Sequence, residues 1–178
     1  MRSRYKITDQ DGIYFITSTI VEWLPVFTSR PYFDILIQSF RYCQQHKGLK
    51  LYGYVILDNH FHAIVAGSNL SRTIADMKKF TARQIIVQLQ AEQKRWLLNQ
   101  LTYYKKRYKT KSDHQVWQEG YHPVLVTSEE MLRRQLEYIH HNPVKRGVVA
   151  APEHWLYSSA RDYILGDSSI IKLDPLPI

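Results

Sequence analysis

Apolar and polar positions along this chain repeat with two periods, and each period predicts one kind of secondary structure. Residues 12–20, GIYFITSTI, are rich in β-branched and aromatic side chains after an Asp-Gly turn signal, which predicts a strand. Residues 49–57 and 60–66 are similar runs, separated only by Asp58 and Asn59, and they predict a tight antiparallel hairpin. The first part of the chain is therefore expected to contribute three strands.

Apolar residues at helical spacing predict two helices between and after these strands. Ser29 is an N-cap candidate for the first helix, and Gly48 ends it. A second helix opens at Ser71 and extends to about Arg107, a length that leaves room for a break midway. The residues expected on the two buried faces are Tyr32, Phe33, Leu36, Ile37, Phe40 and Tyr42 in the first helix, and Ile74, Met77, Phe80, Ile85 and Leu89 in the second.

The last third of the chain predicts one more strand and one more helix. The run 116–126, VWQEGYHPVLV, has strand character, and its proline confines it to a sheet edge or a bulge. Thr127 and Glu130 form a capping box that opens a helix to about residue 140, and Asn142-Pro143 then breaks the chain. The predicted order of elements is β-α-β-β-α-β-α.

Charge suggests a polyanionic partner. The chain has 24 Lys+Arg against 16 Asp+Glu and a net charge of +8, which favours nucleic acid. Most of the excess lies between Arg72 and Lys111, where aromatic residues are interleaved with the cations, as on single-strand binding surfaces. A solvated helix face is the plainer alternative. The candidate DNA-binding residues are Arg72, Lys78, Lys79, Arg83, Lys105, Lys106 and Arg107, with Arg133, Arg134, Lys145 and Arg146 further along the chain.

Composition also limits the class of protein. Cys43 is the only cysteine, which excludes an intrachain disulfide and a cysteine-based zinc site. The basic start, residues 1–6, leads into a polar segment, and no apolar run approaches the ~18 residues that cross a bilayer. We therefore expect an unprocessed cytoplasmic protein with no membrane partner.

The candidate chemistry begins with His60-Phe61-His62. Residues two apart on a strand face the same side, so His60 and His62 can direct both imidazoles at one divalent metal while Phe61 enters the core. Two partly exposed strand histidines with no ligand are the simpler alternative, and the motif alone does not decide between them.

Four segments make the chain resemble the HUH single-tyrosine transposases, and most of all the REP-associated tyrosine transposases. They occur in the order and spacing typical of that family, over roughly residues 12–165, with YIHHNPVKRG as the most specific part. The segments are YVILDNHFHAIV, VWQEGYH, LEYIHHNPVKRGVV and WLYSSARDY.

This resemblance implies roles for particular residues. Tyr138 would be the nucleophile, and His60, His62 and Asn142 would bind Mg²⁺ or Mn²⁺, with Gln118 as the next candidate ligand. Attack on a phosphodiester would leave a 5′-phosphotyrosine and a free 3′-OH, so that a later 3′-OH can rejoin strands without ATP. Tyr103, Tyr104 and Tyr108 are the competing nucleophiles, whereas Asp58, His140 and His141 receive no assigned role.

The resemblance also implies a fold and a substrate. The expected fold is α+β, a ferredoxin-like antiparallel sheet with helices packed on one face, in a single domain over residues 1–178 with a short tail from 166. The expected substrate is single-stranded DNA with hairpin-forming repeats, and a monomer is favoured over a homodimer. The alternatives are a noncatalytic single-stranded nucleic-acid-binding module and another HUH nicking or replication-initiation nuclease.

Overall fold

The computed structural model describes residues 7–177, so the basic start of the chain lies outside the described residues. Its sheet has four antiparallel strands in the order β2-β3-β1-β4. The strands are β1 (Ile13–Thr19), β2 (Lys50–Ile56), β3 (His60–Ala66) and β4 (Val124–Val126). The three strands predicted in the first part of the chain and the hairpin between β2 and β3 are confirmed.

Five helices within residues 7–177 accompany the sheet. They are α1 (Arg30–His46), α2 (Leu70–Ala91), α3 (Arg95–Tyr103), α4 (Glu129–Lys145) and α5 (Ala160–Leu165), with short 3-10 turns at Val21–Trp23 and Pro152–His154. The predicted long second helix is two helices, α2 and α3, and its apolar face is interrupted because Phe80 is exposed. Tyr42 of α1 is likewise exposed, contrary to the prediction. No helix within residues 7–177 is long and apolar enough to span a membrane.

Helices cover both faces of the sheet, and this corrects the expectation of helices on one face only. Side chains of α1, α2 and α3 form one apolar core with Phe61 and Val65 of β3. Helix α4 packs on the opposite face, where Leu136 and Ile139 meet Ile64. The second layer forms because all seven residues of β3 are buried, so that both faces of this strand need cover.

Helix α4 begins and ends differently from the prediction. Ser128, not Thr127, caps it, because the Ser128 hydroxyl accepts a hydrogen bond from the Met131 amide. The helix also does not break at Pro143 but continues to Lys145. An interior proline removes a backbone donor and crowds the preceding turn, but the packing of α4 on the sheet outweighs this cost, so the residues on either side of Pro143 stay on one continuous helix.

The predicted strand over 116–126 is mostly wrong. Only Val124–Val126 forms a strand, at the edge position that the proline predicted, and Trp117 adds an isolated bridge to Ile20. Gly120 and His122 adopt positive φ values of 77° and 42°. Such left-handed residues turn the backbone out of the extended conformation, which is why the run cannot pair along its whole length.

Candidate active site

His60 and His62 lie on the same face of β3, beneath α4. Their ring centroids are 4.8 Å apart, and their cross-strand partners on β1 are Thr19 and Thr17. Phe61 between them points to the opposite face and is fully buried in the core. The alternation predicted from the sequence therefore brings both imidazoles to one place.

The His60 ring is oriented by its neighbour Asn59. The Asn59 side chain donates through Nδ2 to the Trp23 carbonyl at 3.1 Å, which fixes its Oδ1 as the atom that faces His60 Nδ1 at 2.7 Å. An amide oxygen only accepts, so His60 Nδ1 must carry the proton. The lone pair then sits on Nε2, which has no hydrogen-bond partner within residues 7–177.

The His62 ring is held in a similar way from β1. Its Nδ1 lies 2.7 Å from the Thr17 hydroxyl, and the ring stacks on Phe15 at a centroid distance of 5.3 Å. With Nδ1 engaged by Thr17, Nε2 is the nitrogen left to bind a ligand. Metal-binding histidines are commonly fixed through their second nitrogen in this way.

Both imidazoles are kept neutral by their surroundings. Burial lowers the pKa of His60 to about 4, with the Arg146 guanidinium adding to the effect. Burial also lowers the pKa of His62 to about 3, and the nearby His60 contributes further. Neutral imidazole is the form that binds a metal, so the pair is available as ligands near neutral pH.

Tyr138 on α4 reaches the histidine pair. Its ring contacts His62 edge-on at a centroid distance of 5.4 Å and Phe15 at 6.0 Å. The side chain nevertheless remains 42% exposed, and the Lys145 ammonium lies 5.7 Å from the ring centroid. The hydroxyl is thus on a ring that touches a candidate ligand and is open to a large substrate.

Asn142 lies one helical turn beyond Tyr138, and Arg146 one turn further. Arg146 pairs with Asp58 at 3.0 Å and approaches Asn59 Oδ1 at 3.4 Å, just before β3 begins. Four helical residues rise about 6 Å and two strand residues about 7 Å, so the two elements advance in matching steps. Since Tyr138 sits over His62 and Arg146 over the turn, Asn142 is expected level with His60.

The candidate donors for a divalent cation are two imidazole nitrogens and one amide oxygen, and the imidazoles favour Mn²⁺ over Mg²⁺. No group of three or more His, Cys, Asp or Glu that could hold a metal occurs within residues 7–177, so a carboxamide would have to complete the two imidazoles. The buried Asn142 side chain makes no hydrogen bond to the described part of the chain and is available for this. The Gln118 amide nitrogen lies 3.5 Å from the Ile20 carbonyl, a contact that does not occupy its Oε1, so Gln118 stays the next candidate ligand.

The competing tyrosines are not placed against the histidines. Tyr103 and Tyr104 contact each other at a centroid distance of 5.0 Å, and the Tyr108 hydroxyl donates to Glu119. All three are exposed on or after α3. The structure therefore brings Tyr138, and none of these three, against His62.

The candidate DNA-binding residues divide into several groups. Lys78 serves the fold, because its ammonium donates to the backbone carbonyls of Gln118, at 2.8 Å, and Gly120. Three other candidate residues form ion pairs with exposed carboxylates. Two more lie at the candidate site, one beside Tyr138 and one at the β2-β3 turn. The paired residues are Arg72, Lys106 and Arg133, those at the site are Lys145 and Arg146, and those without an ion pair in the described chain are Lys79, Arg83, Lys105, Arg107 and Arg134.

The structure also shows the contacts of three residues to which the sequence assigned no role. His140 is buried and its Nε2 meets the Ser159 hydroxyl at 2.9 Å, while His141 is exposed and faces the Glu137 carbonyl. Asp58 pairs with Arg146. Neither histidine contacts Tyr138, and Asp58 orients no imidazole.

Sequence reasoning missed the residues that orient the imidazoles, Thr17 and Asn59, together with the aromatic partner Phe15. Thr17 and Phe15 lie more than 40 residues from His62 in the chain, and only the β1-β3 register brings them together. A usable signal existed for Asn59, because it directly precedes His60 in the sequence and a neighbouring carboxamide can orient a candidate ligand.

Comparisons with known proteins agree with this fold. No family model matches the chain. A protein of Haemophilus influenzae named as a REP-associated tyrosine transposase is 26% identical over 152 residues, which cover 83% of this chain and 79% of that protein. A solved structure of a REP-associated tyrosine transposase bound to a REP hairpin superposes with a TM-score of 0.67 and 17% identity, covering 100% of this chain and 94% of that one. The family resemblance and the expected α+β fold with an antiparallel sheet are confirmed.

Proposed function

We propose that this protein is a metal-dependent transposase that cleaves and rejoins single-stranded DNA through a covalent bond to Tyr138. The observation that carries the proposal is the contact of the Tyr138 ring with His62, within the same chain and on an exposed surface. The similarity to REP-associated tyrosine transposases supports it. Because one such relative is bound to a REP hairpin, we propose hairpin-forming single-stranded DNA as the substrate.

The proposed reaction exchanges one phosphodiester for another. The Tyr138 oxygen attacks phosphorus, a bond forms between them, and the bond from phosphorus to the 3′ oxygen breaks. The phenol loses its proton and the departing 3′ oxygen gains one, leaving a 5′-phosphotyrosine and a 3′-OH. Attack by another 3′-OH reverses the step and joins strands, so no external energy source is needed.

The residues around Tyr138 each have a part in this proposal. His60, His62 and Asn142 would hold Mg²⁺ or Mn²⁺, which when bound stabilises charge on a nonbridging phosphate oxygen. Thr17 engages Nδ1 of His62, and Asn59 engages Nδ1 of His60. The Nε2 atom of each ring is thereby left to bind the metal. Lys145, next to the Tyr138 ring, is positioned to attract the phosphate.

The test is formation of a covalent adduct. The protein is incubated in Mn²⁺ with end-labelled single-stranded hairpins, and SDS-resistant protein-DNA adducts are resolved on a gel. Tyr138→Phe removes only the hydroxyl, so the adduct and cleavage should disappear while hairpin affinity stays within a few fold. Tyr104→Phe is the matched control and should form the adduct normally.

Two results would overturn the proposal. An adduct of undiminished yield in Tyr138→Phe, or one mapped to another tyrosine, would reject Tyr138 as the nucleophile. Tight hairpin binding by the wild-type protein without cleavage or adduct would favour the noncatalytic binding module instead.

A further inference from the structure

Trp23 presents an aromatic ring to solvent beside the candidate active site. The residue is 57% exposed, and its ring centroid lies 5.6 Å from that of His60 in an edge-on contact. The indole N–H makes no hydrogen bond to the described part of the chain. Trp117, by contrast, is buried, and its indole donates to the Thr81 hydroxyl. Trp23 therefore offers a flat apolar surface that the packing of the fold leaves uncovered.

The backbone that carries this ring is strained. Glu22 and Trp23 have positive φ values of 50° and 55°. Bulky side chains rarely adopt this left-handed conformation, and two such residues in succession cost free energy of folding. Residues held in this way are concentrated at ligand-binding and catalytic sites. A tryptophan at this position is therefore explained better by a ligand than by the needs of the turn.

Contacts on both sides of Trp23 hold this turn in place. The neighbouring side chains of Val21 and Leu24 are buried. The Trp23 amide donates to the Ile20 carbonyl at 3.0 Å, and the Trp23 carbonyl accepts a hydrogen bond from the Asn59 side chain at 3.1 Å. The backbone is thus fixed while the ring stays open, so the ring is in position before a ligand binds.

Asn59 brings three kinds of group together at this turn. Besides its bond to the Trp23 carbonyl, its Oδ1 lies 2.7 Å from His60 Nδ1 and 3.4 Å from an Arg146 guanidinium nitrogen. Asp58 shares the Arg146 charge through an ion pair at 3.0 Å. An aromatic surface, a candidate metal ligand and a cation therefore meet at one amide side chain. An unpaired nucleotide presents the complementary groups, which are a base with flat faces and an anionic phosphate.

Trp23 and Tyr138 are connected by ring contacts through the histidine pair. Trp23 contacts His60, the two imidazole centroids are 4.8 Å apart, and the Tyr138 ring contacts His62 at a centroid distance of 5.4 Å. A nucleotide whose phosphate lies at the histidine pair would therefore have both Tyr138 and Trp23 as neighbours.

We infer that Trp23 stacks on the unpaired base of the nucleotide that adjoins the phosphate attacked by Tyr138. This inference rests on the proposed function. Every base has a flat aromatic face, so stacking on Trp23 fixes the position of the strand at the site and does not select its sequence. Trp23 is thus a substrate-binding residue, and the strain of its turn serves to present the indole to the DNA.

The test measures stacking directly, in Tyr138→Phe protein so that the DNA is bound and not cleaved. Hairpin DNA with single-stranded extensions carries the fluorescent base 2-aminopurine at one extension position at a time. The fluorescence of this base falls when it stacks on an aromatic ring. We expect the fall at the position next to the phosphate that wild-type protein cleaves, and we expect Trp23→Asn to remove it.

Two further variants serve as controls for the ring. Trp23→Phe keeps an aromatic ring at the site and should retain most of the fall in fluorescence. Tyr42→Leu removes an aromatic ring of similar exposure from α1, on the opposite face of the sheet, and should retain all of it.

Affinity and stability show whether the ring acts on the DNA or on the fold. Trp23→Asn should weaken binding of the extended hairpin roughly 5- to 100-fold, the range expected for one base stacked on an aromatic ring. An abasic site at the quenched position should weaken binding by a similar factor, and it should weaken binding by Trp23→Asn no further, because both changes remove the same contact. The thermal unfolding midpoint of Trp23→Asn should equal or exceed that of wild type, because asparagine tolerates a positive φ.

Three results overturn the inference. They are unchanged quenching in Trp23→Asn, separate losses from the abasic site and from Trp23→Asn that multiply, and quenching only at positions away from the cleaved phosphate. If Trp23→Asn unfolds at a lower temperature than wild type, Trp23→Leu and Trp23→Phe decide, because only phenylalanine keeps a ring. Equal quenching in these two variants would assign Trp23 to the fold.

The adduct assay separates this inference from the proposed function. If wild-type protein forms no adduct but Trp23 quenches an unpaired base, the stacking contact stands and the transposase proposal fails. If the adduct forms and quenching does not depend on Trp23, the transposase proposal stands and the stacking contact fails.

Discussion

The two faces of the sheet use alternate residues of the same strands, but they bury different things. Under α1, α2 and α3 lies a continuous apolar core, to which β3 contributes Phe61 and Val65. Under α4 lies a smaller apolar cluster that includes Ile64, and further along the same face of β3 are His60 and His62. One face is devoted to packing, whereas the other is divided between packing and polar groups that are aimed at a ligand.

This difference separates stability from chemistry at the level of single residues. Adjacent residues of a strand point to opposite faces, so neighbouring positions on β1 and β3 serve different purposes. Substitution of one residue should therefore change the free energy of unfolding, and substitution of its neighbour should change metal binding or cleavage.

The largest effect is expected at the histidines. His60→Ala or His62→Ala should abolish Mn²⁺-dependent cleavage, because each removes an imidazole ligand, and EDTA should have the same effect on wild type. Asn142→Ala should weaken cleavage less, because water can replace a neutral carbonyl oxygen. The measurement is adduct yield at several Mn²⁺ concentrations. Cleavage at full rate in EDTA would show that the histidines are structural.

Phe61 lies between the two histidines, and its substitution should lower stability and leave metal binding unchanged. Phe61→Ala is expected to lower the free energy of unfolding by about 3–5 kcal/mol, since it leaves a cavity in the core that contains Phe40 and Trp117. Denaturant unfolding measures this, and Phe61→Leu should lose less. Under conditions where the variant stays folded, its Mn²⁺ affinity should be close to that of wild type. A large drop in that affinity would mean that the faces are not independent.

Thr17 and Ser18 allow the same comparison on β1. Thr17→Val should weaken Mn²⁺ binding about 10–100-fold, because the hydroxyl fixes the His62 ring. Ser18 points to the other face, where its buried hydroxyl has no partner in the described chain, so Ser18→Ala should leave Mn²⁺ affinity unchanged. Mn²⁺ titration followed by electron paramagnetic resonance measures both. Equal affinities in the two variants would reject the orienting role of Thr17.

The smallest effect concerns Lys78, a half-buried cation on the packing side. Burial lowers the pKa of Lys78 from 10.5 to about 8, with Lys109 adding to the effect and Glu119 opposing it. Between these values the unfolded chain holds more protons at this site than the folded chain, so stability should rise with pH through this window. Relative to Lys78→Met, wild type should gain roughly 1 to 2 kcal/mol between pH 8 and 10.

The control for this prediction is the neighbouring residue. Lys79→Met removes an exposed ammonium that makes no ion pair in the described chain, so it should show the wild-type pH dependence of unfolding. Parallel pH profiles for wild type and Lys78→Met would show that the Lys78 ammonium is as well solvated in the folded protein as in the unfolded chain.

Periodic patterns predicted the parts of the fold that depend on local sequence. The β-rich runs predicted β1, β2 and β3, and Ser29 and Gly48 bracketed α1, because strand alternation and helix ends are written in neighbouring residues. The spacing of Tyr138 and Asn142 also placed them on one side of one helix. The break predicted at Pro143 was wrong. The residue before a proline disfavours helical backbone, but the packing of α4 on the sheet outweighs this local preference.

Features that depend on distant parts of the chain were not predictable in this way. The orientation of His62 depends on Thr17, through a strand pairing that no local pattern specifies. The burial of Lys78 depends on two carbonyl groups from the segment around Gly120. The sequence shows that β3 is apolar on both sides, but it does not show which helix covers each side. The face covered by α4 was therefore not predictable.

The contact between Tyr138 and His62 lies within a single chain, and this has a consequence for genetic complementation. Under the proposed function, a chain that holds its nucleophile over its own candidate ligands would need no second copy to complete the set. Two inactive proteins, Tyr138→Phe and His62→Ala, should therefore remain inactive when mixed or co-expressed. Recovery of cleavage in the mixture would mean that α4 is exchanged between subunits.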